Sequence, residues 1–437
     1  MKVLKFGGTS VGSAARIKDV AQLICDGDQK IVVLSAMSGT TNSLVEIADY
    51  YYKNNTSGAM ERINALEQKY VEVVEELYAV EMYKAEAHKL IKEYFEYLRT
   101  FSKSVFTIFE EKAILAQGEL ISTGMFHIYL QEKGESSVLL PALEYMRIDK
   151  NSEPDTAYIA ENIAKQLEAN PGITYYITQG YICRNFYGEI DNLQRGGSDY
   201  TASLIGAAVK ADEIQIWTDI DGMHNNDPRF VEGTKPVPYL NFEEAAELAY
   251  FGAKILHPTC ILPAKLNNIP VRLLNTMAPK AAGTLISLKS NKESIQAVAA
   301  KDGITAIKIK SGRMLLAYGF LRKVFEIFES YQTPIDMVTT SEVGVSVTID
   351  NTKHLNEILD NLKKLGTVSV DSDQVIICVV GDLQPDNVGF QSKVVNAMKE
   401  IPVRMISYGG SNYNVSFLVK ASDKKAALKA LSASLFS

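Results

Sequence analysis

The chain has 437 residues, enough for two or three domains, and its 46% hydrophobic content can fill their cores. Lys and Arg number 45 against 52 Asp and Glu, a net charge of −7 with no long basic tract, which argues against nucleic acid as a partner. No apolar run is long enough to span a bilayer, so no membrane association is expected.

The chain opens with a short apolar strand, Val3 to Phe6, that runs into Gly7-Gly8 and then Thr9-Ser10. A helical pattern follows, with Ile17, Val20, Ala21 and Ile24 on one face. A strand, a glycine loop and a helix N-terminus in that order make an anion site, because exposed N–H groups and the helix dipole favour negative charge. This is not the common P-loop: Ser13, not lysine, follows Gly12, and the nearby cation is Lys5, ahead of the loop. Lys5 and the glycines also break the N-terminus before a secretory apolar region could form, so no signal peptide is expected. Further strands are expected at Ile31–Ser35, Ser137–Leu140, Tyr175–Thr178, Ile214–Thr218 and Val271–Leu274, alternating with helices. That alternation predicts a mainly parallel sheet covered on both faces, with ligands beyond the carboxyl ends of its strands. Residues from about 56 to 130, rich in Glu, Lys, Leu, Tyr and Ala, read as a helical insertion. The four cysteines, Cys25, Cys183, Cys260 and Cys378, are scattered and read as reduced thiols of a cytoplasmic protein. The five histidines show no metal-ligand spacing, and no protein-held metal is expected.

The C-terminal part repeats itself. Gly319-Phe320 and Gly389-Phe390 each open a helical segment, at an offset of 70 residues. Each segment leads to a proline, Pro334 or Pro402, then to a polar turn and an alternating strand, Val343–Ile349 or Asn414–Val419. Two copies of a βαββαβ unit are the natural reading, with chance similarity of two short segments as the alternative. The expected division is a first domain over 1–285 and a regulatory region over 286–437. Within the latter, one unit spans about 303–373 and the other spans about 374–437 plus a strand from about 294–302.

Several residues could carry chemistry. Arg195-Gly196-Gly197-Ser198-Asp199 is a second glycine loop before a small-residue helix. Ser198 or Asp199 alone would be explained as an N-cap, but Arg195 adds a bidentate fork for a carboxylate, and Asp199 could hold a cation or orient a lysine. Thr218-Asp219 closes an apolar strand, and Asp227-Pro228-Arg229 is ordinary turn chemistry when taken singly. Lys254 by itself is a surface lysine near a helix end. Glu119, after Gly118, sits at a glycine break and reads alone as a solvated glutamate. Together, two glycine loops, two lysines and an arginine suit polyanions and carboxylates. Phosphoryl transfer needs mainly positioning and charge neutralisation, which this set supplies.

Lys5-Phe-Gly-Gly-Thr-Ser10, Arg195-Gly-Gly-Ser-Asp199, Trp217-Thr-Asp219, Asp227-Pro-Arg229 and Phe251-Gly-Ala-Lys-Ile-Leu-His-Pro258 occur in this order. Together they resemble the aspartokinases of the amino acid kinase superfamily, over essentially the whole length. The C-terminal repeat resembles that family's paired ACT domains, and Thr339-Thr-Ser-Glu-Val343 is similar to the effector-binding turn of its lysine-inhibited members. The resemblance implies a three-layer α/β kinase fold followed by two ferredoxin-like ACT domains. It implies ATP as phosphoryl donor, Mg²⁺ carried on the nucleotide phosphates, and L-aspartate phosphorylated on its β-carboxylate. Lys5 and Asp199 would be catalytic. Ser35, Thr41, Glu119, Arg195 and Ser198 would bind aspartate, Glu119 taking its ammonium and Arg195 its α-carboxylate. Lys5, Gly7, Gly8, Thr218, Asp219, His224, Arg229 and Lys254 would bind the nucleotide, although the family commonly has tyrosine at the place of His224. L-Lysine would bind near Met314, Phe320, Leu321, Asp336, Val338, Thr340, Ser341 and Glu342, in a homodimer or tetramer joined through the ACT domains. No fused dehydrogenase domain is expected. The alternatives are a superfamily kinase for glutamate or a nucleotide, and an inactive amino-acid sensor.

Overall fold

The computed structural model describes residues 1–436 apart from 104, 194–195, 253–255, 290–294, 313–317 and 385. In chain order the strands are β1 (Lys2–Phe6), β2 (Lys30–Leu34), β3 (Ser137–Leu140), β4 (Tyr175–Gln179), β5 (Ile182–Arg184), β6 (Ile190–Asn192), β7 (Ile214–Thr218), β8 (Tyr239–Asn241), β9 (Val271–Asn275), β10 (Thr284–Ser287), β11 (Ile295–Lys310), β12 (Val338–Ser341), β13 (Gly344–Ile349), β14 (Thr367–Gly381), β15 (Met405–Tyr408) and β16 (Asn414–Lys420). The helices are α1 (Ala14–Ile24), α2 (Thr40–Tyr52), α3 (Thr56–Leu77), α4 (Glu81–Thr100), α5 (Ile108–Glu132), α6 (Ala142–Tyr145), α7 (Thr156–Ala169), α8 (Gly197–Ala208), α9 (Phe242–Tyr250), α10 (Pro258–Leu266), α11 (Phe320–Ser330), α12 (Leu355–Leu362), α13 (Phe390–Ala397) and α14 (Lys424–Leu435).

The chain divides into two compact units, residues 1–223 with 255–288, and residues 224–254 with 289–437. In the first, strands run in the order β3-β4-β2-β1-β7-β9-β10. All neighbours are parallel except β9 and β10. Lys-Ile-Val-Val-Leu of β2 and Tyr-Tyr-Ile-Thr-Gln of β4 are buried throughout, as parallel strands covered on both faces must be. The α8 helix lies on β1, β2 and β7, and α5 lies on β2, β3 and β4. Phe6 is fully buried and stacks on Trp217 with ring centroids 5.7 Å apart, joining β1 to β7. Burial of one such side chain stabilises by about 1.5–3 kcal/mol. The chain order turns back at β1, with β2 on one side and β7 on the other, so the loops beyond these strands flank a cleft.

Two sequence expectations change here. The helical stretch from about 56 is not wholly an insertion, because α5 is buried along most of its length and packs directly on the central sheet. The Gly7-Gly8 pair does not feed a helix directly, since α1 starts only at Ala14, capped by Ser13. Ser10 and Val11 turn inward and are buried, and this folds the intervening loop back on the sheet.

The second unit holds one antiparallel sheet of six strands, β12-β13-β11-β14-β16-β15. Its centre is two long strands. The Thr305–Lys310 part of β11 pairs with β13 and with the start of β14. The Ile295–Lys301 part pairs with the end of β14, and a register shift separates the two stretches. Two cores lie under the sheet, one with Ile307, Phe320, Phe328 and Ile358, the other with Val375, Val394, Phe417 and Leu428. Val231 belongs to the latter core. Asn226 Nδ2 donates to the Leu428 carbonyl at 3.0 Å, and the Val298 N–H donates to the Asn225 carbonyl at 2.9 Å. These contacts explain why 224–254 groups with the second unit, although the sequence suggested one domain to 285.

Candidate active site

The first unit contains a cavity of about 450 Å³ beyond the carboxyl ends of β1 and β2, and Gly8, Ser35, Thr41, Glu119, Tyr181 and Ser198 are among the residues lining it. The loop after β1 leans on the loop after β2, where the Gly8 carbonyl accepts the Ser38 N–H at 3.1 Å. The first turn of α2 brings Thr41, and its base is fixed by a 2.9 Å hydrogen bond between Thr40 and the buried Tyr70 hydroxyl. Ser35 Oγ donates to Ser198 Oγ at 2.9 Å, joining the β2 loop to the start of α8. Ser122 Oγ donates to the Ser35 carbonyl at 2.8 Å and holds that loop from the α5 side.

Glu119 is the most informative group. It is only 4% exposed, in mid-helix, so it is neither solvated nor beside a helix break. Gly118 is what allows this: a Cβ there would stand 2.8 Å from Ala36 Cβ, so glycine lets α5 press against the β2 loop. Glu119 Oε1 accepts the Ala36 N–H at 3.2 Å, while Oε2 is buried without a partner. Burial pushes its carboxyl up to about 8, and neither the Ala36 hydrogen bond nor the nearby Lys5 charge cancels that rise. A buried carboxyl with one free oxygen at a cavity wall suits an ammonium ligand.

Lys5, near the end of β1, carries Nζ to 2.7 Å from Asp199 Oδ1, with both side chains largely buried. Asp199 sits in the first turn of α8. The helix begins at Gly196-Gly197, both at positive φ. A Cβ on Gly196 would fall 1.9 Å from Cys260 Sγ, so only glycine lets the helix start there. The site therefore has a fixed cation beside two glycine loops, and a helix N-terminus at the same cavity. It can neutralise a polyanion next to a small zwitterion.

The first unit thus brings together Lys5, Gly7, Gly8, Ser35, Thr41, Glu119, Ser198 and Asp199. Thr218 ends β7 and Asp219 follows it, where the Thr218 hydroxyl donates to the Asp219 carboxylate at 3.1 Å. His224 and Arg229 belong to the second unit. His224 Nδ1 lies 2.9 Å from Thr234 Oγ1, and Arg229 is paired with Asp227 at 2.6 Å. Arg195, Lys254 and Met314 lie outside the described residues. In the second unit Phe320 is buried and Leu321 partly exposed, while Val338, Thr340, Ser341 and Glu342 line the exposed β12–β13 turn region. The Asp336 side chain is 1% exposed and paired with Lys301.

Sequence reasoning missed Ser122 and Tyr181. Ser122 gave no signal within an apolar helix. Tyr181 takes φ 67, a strained value for a tyrosine, and its N–H donates to Thr201 Oγ1 at 2.9 Å. Gly180 before it was the only local hint.

Known proteins are similar to this chain over its whole length. The profile of the amino acid kinase family matches residues 1–275, and that of an ACT domain matches 377–435. Aspartokinase 1, chloroplastic, of Arabidopsis thaliana is 34% identical over 467 residues, covering 99% of this chain and 80% of that protein. Lysine-sensitive aspartokinase 3 of Escherichia coli K12 is 32% identical over 449 residues, 99% of each. Among solved structures, E. coli aspartokinase III in complex with aspartate and ADP (R-state) matches with a TM-score of 0.85. The same enzyme with lysine and aspartate (T-state) matches with 0.82, and both matches are at 32% identity and cover 100% of either chain.

Proposed function

The chain belongs to the amino acid kinase family, among its aspartokinases, and on that premise we propose how its cavity performs the reaction. The enzyme transfers the γ-phosphoryl group of ATP to the β-carboxylate of L-aspartate, giving 4-phospho-L-aspartate, the first step toward lysine, threonine and methionine. The observation that carries the substrate assignment is Glu119, with its buried and unpartnered Oε2 at the wall of the cavity. The aspartate ammonium takes that oxygen, and Arg195 takes the α-carboxylate. Ser35, Thr41 and Ser198 complete the polar contacts.

One β-carboxylate oxygen attacks the γ-phosphorus, the bond to the bridging oxygen breaks, and ADP leaves with that electron pair. The nucleophile is already an anion, so no base is needed. Lys5 neutralises the charge on the transferring group, and Asp199 holds Lys5 in place. Gly7 and Gly8 admit the phosphates close to the backbone, and Thr218, Asp219, His224, Arg229 and Lys254 hold the nucleotide. ATP enters as its magnesium complex. Among the described residues no cluster of three or more His, Cys, Asp or Glu could hold a metal, and a Mg²⁺ kept by phosphates and water needs none.

L-Lysine inhibits through the ACT region, and the enzyme works as a homo-oligomer in the cytoplasm. No described helix is long and apolar enough to cross a membrane. A coupled ADP-release assay over a panel of amino acids tests the assignment. Aspartate alone should give turnover. Turnover with glutamate instead, or none with any amino acid, would overturn it.

A further inference from the structure

The second unit carries an ionic cluster around Asp336 in which Lys301, Asp350 and Tyr250 have no role assigned above. Lys301 Nζ lies 2.6 Å from Asp336 Oδ1 and 2.9 Å from Asp350 Oδ2. The Tyr250 hydroxyl donates to the same Asp336 Oδ1 at 2.7 Å. Lys301 Nζ also stands 4.3 Å from the centre of the Tyr250 ring. Two donors therefore meet on one carboxylate oxygen. The other, Oδ2, is buried with no partner, in a side chain 1% exposed. A buried carboxylate oxygen left without a donor is costly, and it marks where an added donor would be bound most strongly.

Tyr250 closes α9 and stands four positions before Lys254 in the chain. Two further contacts fasten this stretch to the regulatory sheet. Asn414 Nδ2 donates to the Glu247 carboxylate. Gly252, at φ 123, lies so close to β11 that a Cβ would be 2.2 Å from the Ala300 carbonyl oxygen. The segment leading to a nucleotide-binding lysine is thus carried by the same sheet that carries Asp336.

Resting on the reading that L-lysine is the effector and Asp336 one of its ligands, we propose that Tyr250 and Lys301 couple effector binding to the nucleotide segment. An effector ammonium takes Asp336 Oδ2. Two ammonium groups then face one carboxylate, and Lys301 retreats toward Asp350, which it already touches. The cation leaves the Tyr250 ring, Asp336 turns toward the new charge, and the hydroxyl contact that fixes the end of α9 is weakened. The effector thereby favours a state with a different hold on ATP, as differential affinity for two states requires.

The test uses the full-length protein and two readouts: L-lysine binding by titration calorimetry, and the ratio of kcat/KM for ATP without and with saturating lysine. Tyr250→Phe keeps the ring and removes the hydroxyl. Its lysine Kd should stay within about threefold of the parent value while the inhibition ratio falls at least about fivefold, since allosteric couplings span roughly 5–150-fold. Lys301→Met should bind lysine at least about fivefold tighter and yet be inhibited less, a combination that general structural damage does not produce. If Lys301→Met does not fold, Tyr250→Phe carries the test alone. An unchanged inhibition ratio in Tyr250→Phe overturns the coupling. So does a loss of lysine binding there that matches the loss of inhibition, which would make Tyr250 a ligand contact only. Failure of lysine to bind the parent protein would instead remove the effector assignment on which this rests.

Discussion

Lys5 contributes a charge held in position rather than packing, since its ammonium faces Asp199 and not the core. Lys5→Ala should therefore keep the fold, checked by melting temperature, and lower kcat by a factor on the order of 10³. Near-normal turnover would remove it from the chemistry. Glu119 makes a sharper prediction, because its carboxyl is raised to about 8 by burial. Below the ordinary carboxylate range both folded and unfolded states hold the proton. Between about pH 4.5 and 8 only the folded state holds it, so the stabilisation is present at low pH and lost as pH rises through 8. Glu119→Gln should flatten that decline in melting temperature. In the parent enzyme an arriving ammonium ionises Glu119, so aspartate binding at pH 7 should release up to about one proton, read as an enthalpy that depends on the buffer. The glutamine variant should bind aspartate weakly and release none. The Lys5 loop was legible because strand, glycines and hydroxyls are contiguous in sequence. The state of Glu119 was not, because its burial depends on Gly118 meeting Ala36 in a loop far away in sequence.

At the scale of elements, α8 starts where only glycine fits. Gly196→Ala adds a methyl group into Cys260 Sγ and places alanine at φ 73. A cost of about 2–4 kcal/mol is expected, by denaturant titration, with a raised KM for aspartate because Ser198 and Asp199 move with the helix. Cys260→Ala in the same chain should restore part of both losses, whereas no rescue would mean the strain lies in the backbone alone. The parallel strands were readable as apolar runs punctuated by turns. The role of α5 was not, since Gln117, Glu119, Ser122 and Thr123 interrupt its apolar surface and mask how deeply it lies. The short β5–β6 hairpin was equally silent. Each of its strands has three residues, and its start depends on Tyr181 in a conformation no tyrosine adopts by preference.

For the whole molecule, regulation gives the clearest check. Glu342 is exposed in the β12–β13 turn, so Glu342→Ala should leave uninhibited activity intact and raise the lysine concentration for half-inhibition at least about tenfold, about 1.4 kcal/mol. Full sensitivity in that variant would move the effector elsewhere. Sedimentation should find a dimer or larger, and a monomer would refute assembly through the ACT region. The internal repeat disclosed two similar halves, and their spacing was visible in the Gly-Phe and Pro positions. That β11 and β14 each run on through both halves follows from pairings far apart in sequence, with Ala299 opposite Cys378 and Ile309 opposite Val368. This sharing has a consequence for synthesis. When β11 leaves the ribosome its partner has not been made, and about 70 further residues must follow before the end of β14 emerges, roughly 4–14 s at usual elongation rates. Until β14 emerges, β11, the longest of the described strands and bearing Val298, Ile304, Ile307 and Ile309, has no β14 edge to pair with. The first half of the regulatory sheet can close once the start of β14 emerges, but the Ile295–Lys301 part of β11 must wait for the end of β14, so a nascent chain stalled in between offers an open, apolar edge to any other strand nearby.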